Sequence, residues 1–158
     1  MSRRDSIADD IVAALGAATI TLPSGTVVTK PTGLNIHRQR AVPIDTDLLP
    51  AAAVFQIQET VEKGPGRSVG YVSRRKMQIG VEVRIDAGST SADQALDSYL
   101  RWVVLAVCSD PRRSTLAHDT LELGTQWDQE TRSSRLALAT VVFQVDYVTS
   151  ASDLDAAT

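Results

Sequence analysis

Every second residue from Met77 to Ile85 is apolar: Met77, Ile79, Val81, Val83 and Ile85. The same period returns in Ala137, Ala139, Val141, Phe143, Val145 and Tyr147. A period of two belongs to a strand with one buried face and does not fit the turn of a helix. A hairpin alone is marginal in water, so these strands need a wider sheet and a layer that covers it.

Two segments have the helical period that such a layer requires. In residues 5–16, Ile7, Ile11 and Leu15 recur at every fourth position, with Ala8 and Val12 beside them and Asp9 and Asp10 opposite. Ser2 and Asp5 are the candidate caps at its start, and Gly16 marks its end. In residues 91–108, Leu96, Leu100, Val103, Val104 and Val107 form an apolar stripe. Ser91 suits the N-cap, and Asp93 and Asp97 suit the positive end of the helix dipole. Asp97 and Arg101 are spaced as a favourable pair, and Asp110-Pro111 stops the helix.

The remaining segments read as hairpins and one long connection. Thr19–Leu22 and Thr26–Thr29 are rich in β-branched residues around the turn residues Pro23-Ser24-Gly25. Residues 30–50 read as an irregular loop with a basic middle. Over residues 52–86 the pattern predicts a long hairpin. Ala53, Phe55 and Ile57 alternate on its first strand, and Glu59 and Arg75 break the alternation on either side. Pairing Glu59 with Arg75 puts Ile57 opposite Met77 and Phe55 opposite Ile79. The tip, Lys63 to Gly70, is glycine-rich and leaves the core.

Residues 120–148 read as a second hairpin, in which a turn around Thr131-Arg132-Ser133 would place Trp127 opposite Ala137. Leu136, Leu138 and Val142 then point away from the first apolar face. A strand that is apolar on both faces needs two partners. One is the helix layer, and the other is expected to be a neighbouring subunit.

The expected fold is therefore α+β: an antiparallel β-sheet, two α-helices packed on one face and a long projecting β-hairpin. One domain is expected over residues 1–149, with 150–158 a flexible acidic tail. Ile11, Leu15, Ile79, Val81, Leu100, Val104, Val141 and Phe143 should be buried together.

Composition narrows the function. A net charge of −3 over 158 residues and an aromatic content of 4% speak against a basic nucleic-acid binder with base-stacking platforms. The single cysteine, Cys108, excludes an internal disulfide and a cysteine-based zinc site. No signal-peptide pattern and no membrane-length apolar run is present. A soluble protein, kept in a cytoplasm, is expected.

No residue set reads as catalytic. His118-Asp119 are serial neighbours, whereas a working dyad is defined in space. Asp45-Thr46-Asp47 offers two carboxylates, too few for a metal, and no histidines have ligand spacing. The glycine-rich tip lacks the Gly-Lys-Ser/Thr ending and the following helix of a phosphate loop. Cys108 ends an apolar stripe and reads as a small buried hydrophobe. No catalytic residue, metal site or cofactor is expected.

Two basic clusters are the candidate partner-binding residues: Lys63, Arg67, Arg74 and Arg75 on the hairpin arm, and His37, Arg38 and Arg40 in the long loop. Exposed charge of this kind serves docking more than stability.

The order of elements carries a resemblance. An Ile7-x3-Ile11-x3-Leu15 helix comes first, then a strand pair and a Pro-rich loop ending at Leu49-Pro50. The strand Val54-Phe55-Gln56-Ile57 and the long strand Met77–Val83 follow. A helix Ala95-Leu96-Asp97-x2-Leu100-x2-Val103-x2-Ala106-Val107 precedes a closing strand Val141–Tyr147. Over residues 5–149 the chain resembles the tail terminator proteins of long-tailed bacteriophages, also called minor tail or tail completion proteins. The resemblance implies a structural virion protein assembled in the host cytoplasm. Its subunits would form a homo-oligomer, a hexameric ring that caps the head-proximal end of the tail tube and stops tube polymerisation. The tail tube protein and the head-tail connector would be its partners, and DNA would pass through the lumen without specific binding. A ring needs a heterologous interface, for which Leu136, Leu138 and Val142 are the candidates. Two rival classes are another neck or tube component, such as a head-tail adaptor or tail tube subunit, and a small α+β ligand-binding domain.

Overall fold

A computed structural model describes residues 1–38, 48–62, 72–88, 91–127 and 136–150. Helix α1 spans Arg3–Gly16, and Ser2 is its cap: the hydroxyl accepts from the Asp5 amide at 3.3 Å. Its buried residues are Ile7, Ala8, Ile11 and Leu15, the stripe its spacing requires. Strands β1 (Thr19–Thr21) and β2 (Val27–Thr29) form a separate antiparallel ribbon with Thr19 opposite Thr29.

The main sheet has five strands: β3 (Asn35–Arg38), β4 (Ala51–Glu62), β5 (Val72–Asp86), β6 (Asp119–Trp127) and β7 (Leu136–Ser150). Their order is β3-β4-β5-β7-β6. Helix α2, Ala92–Cys108, connects β5 to β6. The α+β fold with a largely antiparallel sheet and helices on one face is as expected.

β3 corrects the sequence reading. Residues 30–50 were expected to be irregular throughout, yet Asn35–Arg38 form an edge strand parallel to β4, with Ile36 beside Ala52. Four residues, only one of them β-branched, carry no readable period. The strand forms because Ile36 packs against the core and Arg38 reaches α1.

Both long hairpins also depart from the expected register, and each contains a bulge that changes the offset by one residue. β4 and β5 are related by Phe55 opposite Gly80 and Gln56 opposite Ile79; the ladder then resumes at Gln58 opposite Gln78, with Glu59 facing Met77 and Val61 facing Arg75. Ile57 is the extra residue, a β-bulge. β6 also carries a bulge on β7: Glu122 faces Phe143, Gly124 faces Val142 and Leu123 is extra; Trp127 meets Ala139, two residues from the expected Ala137, and the bulge accounts for one of the two. A bulge reverses the phase of every later residue. The core face of β4 before its bulge is therefore Ala52 and Val54, while Phe55 turns to the opposite face and Ile57 is 45% exposed.

The bulges lie at one level of the sheet. Gln56, Ile79, Phe143 and Glu122 form a single cross-strand row, and Ile57 and Leu123 each adjoin it. Gly124 follows the second bulge with φ 150°, a conformation that L side chains rarely adopt. In the neighbouring row Phe55, Gly80, Val142 and Gly124 stand side by side. A Cβ on Gly80 would lie 2.5 Å from the Phe55 ring. The glycine is thus the seat of that aromatic.

The core fills the space between sheet and helices. β5 contributes Met77, Ile79, Val81, Val83 and Ile85, and β7 contributes the odd residues from Ala137 to Tyr147. α2 adds Leu96, Leu100, Trp102, Val103, Ala106 and Val107; of the expected core only Val104 is half-buried. Trp102 crosses to α1, where its indole N–H donates to the Leu15 carbonyl at 3.1 Å. That bond satisfies one of the carbonyls left open at a helix end.

After α2 the chain makes an unusual turn. Arg113, Ser114 and Thr115 have φ of 47°, 53° and 74°, a left-handed run that only glycine adopts without steric cost. The Asp110 carboxylate holds it, accepting from the amides of Arg112 at 3.1 Å and Ser114 at 2.6 Å. Arg113 is fully buried beneath it. Its guanidinium donates to the carbonyls of Asp110 and Val107, each at 2.6 Å, and lies 3.2 Å from the Asp10 carboxylate.

Candidate interaction surfaces

The charged residues singled out in the sequence do not form one surface. Arg74 is exposed on β5, opposite Glu62. Arg75 points to the other face and is engaged: its guanidinium bonds Glu59 at 2.6 Å and the Thr149 hydroxyl at 2.8 Å, with its side chain only 11% exposed. The expectation that Arg75 is a free docking charge on a solvated arm is therefore corrected. Glu59 and Arg75 do meet, as the sequence proposed, but along a diagonal across a bulged register. Arg38 is likewise occupied, 3.5 Å from Asp5 and 3.6 Å from Asp9 on α1. His37 sits on β3 beside Ala53, on the face away from the helices. Lys63, Arg67 and Arg40 lie outside the described residues, as do the hairpin tip, Asp45–Asp47, the turn at 131–133 and residues 151–158.

Around Arg75 the sheet carries a polar cluster that the sequence did not reveal. Tyr147 donates its hydroxyl proton to Glu59, Ser73 and Thr149 share a bond of 3.1 Å, and Arg4 approaches Glu59 at 3.7 Å. Ser73, Tyr147 and Thr149 are buried. Each of these groups finds its complement in another, as buried polar groups must. The arrangement ties β4, β5 and β7 together. Period-two patterning placed Tyr147 in the core, but nothing in the sequence linked it to Glu59.

Burial and the adjacent Glu59 carboxylate raise the Tyr147 phenol above its ordinary value. Below about pH 10 both the folded and the unfolded chain keep this proton, and its contribution to stability is complete. Above that the unfolded chain releases it first, so stability falls as pH rises. Tyr147→Phe is expected to lower stability at neutral pH and to flatten its decline at alkaline pH. Urea midpoints measured from about pH 8 to pH 11 check this, and an unchanged slope would contradict it.

Among the described residues neither helix covers the second face of the sheet. Its central row is Phe55, Gly80, Val142 and Gly124, and the bulged Leu123 borders a shallow depression with Val142 and Gln78. Val142 is 7% exposed, while Leu136 and Leu138 are half-buried on the same face. All three thus lie where the alternation of β7 put them. Ion pairs flank the row: Arg84 with Glu82 at 2.6 Å, and Lys76 with Glu62 at 3.0 Å. Leu121 and Leu123, on the outermost strand β6, are 47% and 49% exposed. An apolar centre with a polar rim is the anatomy of a protein interface.

Other residues singled out earlier take ordinary places. Cys108 is half-buried against the core, and burial pushes its thiol up, away from the reactive thiolate. His118 is exposed just before β6, and its amide donates to the Asp146 carbonyl at 2.7 Å. Among the described residues no three His, Cys, Asp or Glu side chains gather as a metal site, and no helix is long and apolar enough to cross a membrane. Neither a family model nor a curated protein matches the chain.

Proposed function

We propose that this chain is a structural subunit of the bacteriophage tail terminator kind. Copies of it would close into a ring that caps the head-proximal end of a tail tube, stops its growth and presents a surface to the head connector. The observation that carries the reading is the one-sided cover of the sheet. Both helices pack on one face, and the other keeps an apolar row around Phe55 and Val142 between two ion pairs. A ring interface joins unlike surfaces of successive subunits, and the β6 edge with Leu121 and Leu123 is a second surface continuous with that row. The resemblance in element order supports the same role. Virion location and the tube and connector partners belong to this reading.

Leu121→Asp with Leu123→Asp, both about half exposed in the single subunit, is expected to leave the circular dichroism of the subunit intact and to abolish rings. A carboxylate buried without a partner in an interface costs several kcal/mol. Molar mass by light scattering and negative-stain images of the wild type and the variant provide the test. Tail lengths in a terminator-deficient phage complemented with each provide the functional one. Rings that persist in the doubly substituted protein, or a closed two-fold dimer in the wild type, would overturn the assignment.

A further inference from the structure

The strands β5 and β7 continue together to Val72 opposite Ser150, but β6 begins only at Asp119, opposite Asp146. Past Asp146, then, β7 has β5 on one side and no strand on the other among the described residues. The last contact on that side is the His118 amide bonded to the Asp146 carbonyl. Backbone groups along a strand turn to the same side at every second residue. Val148 therefore directs its N–H and C=O the same way as Asp146.

A cleft of about 330 Å³ opens at this place, and Val148 lines it. Its other walls come from distant parts of the chain: Arg3 from α1, Arg112 and Thr115 from the left-handed turn, and His118. Among the described residues that line it none is a carboxylate, although the chain as a whole carries a net charge of −3. Arg112, Thr115 and His118 are exposed. The turn that presents Arg112 and Thr115 is pinned by Asp110 and by the buried Arg113, so these side chains project from a fixed frame.

We propose that this cleft receives an extended acidic segment of a partner protein, which adds as a short strand to the edge of β7 beyond Asp146. Main-chain bonds to Val148 supply the pairing, and the exposed Arg112 selects acidic side chains. The site faces the sheet edge rather than the apolar row, and it stands whether or not the chain caps a tail tube.

The test uses the full chain and a fluorescein-tagged octapeptide of alternating Asp and Val. Fluorescence anisotropy is expected to show saturable binding, with none for the Lys-Val counterpart. Amide exchange at Val148 should slow when the acidic peptide is added. Methylating the peptide's backbone nitrogens removes the pairing bonds and leaves the charge, and is expected to weaken binding about tenfold. Arg112→Glu should weaken it by about tenfold or more. Its side chain is exposed and its backbone bond to Asp110 is retained, so an unchanged melting temperature is expected to accompany the loss. Arg112→Gln, read by the same Val148 exchange, replaces it should the reversal unfold the protein. Equal affinity of the methylated and plain peptides would overturn the proposal, since charge alone would then explain binding. So would equal binding by the basic peptide, no effect of Arg112→Glu, or full displacement of the peptide by inorganic phosphate at the same concentration, which would mark a simple oxyanion site.

Discussion

Arg113→Ala is expected to destabilise the protein by about 2–4 kcal/mol, somewhat less than breaking a fully buried ion pair, because the Asp10 side chain left behind is 21% exposed. Arg113 is fully buried and joins the carbonyls of Asp110 and Val107 to the Asp10 carboxylate. Burial itself works against its charge and lowers its proton affinity, and the carboxylates of Asp10 and Asp110 oppose that trend. Removing the guanidinium leaves the Val107 carbonyl without its donor, the Asp110 carbonyl with the Arg113 amide alone at 3.2 Å, and the Asp10 carboxylate with the Ser114 hydroxyl alone at 2.9 Å. For a chain of this size the loss corresponds to a fall in melting temperature of roughly 10 °C. Arg113→Lys should recover little, because one ammonium cannot reproduce the planar fork that reaches three acceptors. Calorimetry and urea unfolding measure the effect. A change of under about 1 kcal/mol would show that the turn holds its shape without this residue.

Charge reversal separates the two neighbours on β5. Arg75→Glu places a carboxylate against Glu59, beside the buried Tyr147 and Thr149, and is expected to cost about 2–4 kcal/mol. The figure is set below that of a fully buried pair because the Arg75 and Glu59 side chains are 11% and 16% exposed. Arg74→Glu, one residue away on the exposed face, is expected to move the unfolding midpoint little. Thermal unfolding of the two single variants decides between this account and one in which both arginines are solvated. Equal midpoints would favour the latter. Docking roles for this arm are then best tested at Arg74 alone, since a defect at Arg75 would mix folding with binding.

The layered fold was legible because it rests on period. Uninterrupted runs on β5 and β7 report the core face directly, and Ile7, Ile11 and Leu15 report the inner side of α1. What escaped are features with no period. β3 is too short to show alternation. Ile57 and Leu123 are ordinary apolar letters whose role as extra residues appears only against a partner strand. Taking the Glu59–Arg75 ion pair for directly opposite neighbours matched Phe55 with Ile79 in place of Gly80, whereas the two charges meet diagonally. Arg113 stands in an Arg-Arg-Ser run that reads as solvated, and its acceptors lie on α1 and at the end of α2. On the candidate surfaces, Leu136, Leu138 and Val142 were visible as a second apolar phase of β7. The engagement of Arg38 and Arg75 was not, because ion pairing depends on which strands and helices become neighbours.

The paired bulges change how the molecule tolerates variation in length. β4 and β6 each hold one residue that the ladder does not count, Ile57 and Leu123. Deleting either would leave every cross-strand partnership around it in place and turn an irregular strand into a regular one. Deleting a residue from β5 or β7 would instead slide one half of the strand against two neighbours and exchange its inner and outer faces. Insertions and deletions in relatives of this chain should therefore gather on the flanking strands, at the level of Phe143, while the central pair keeps a constant count.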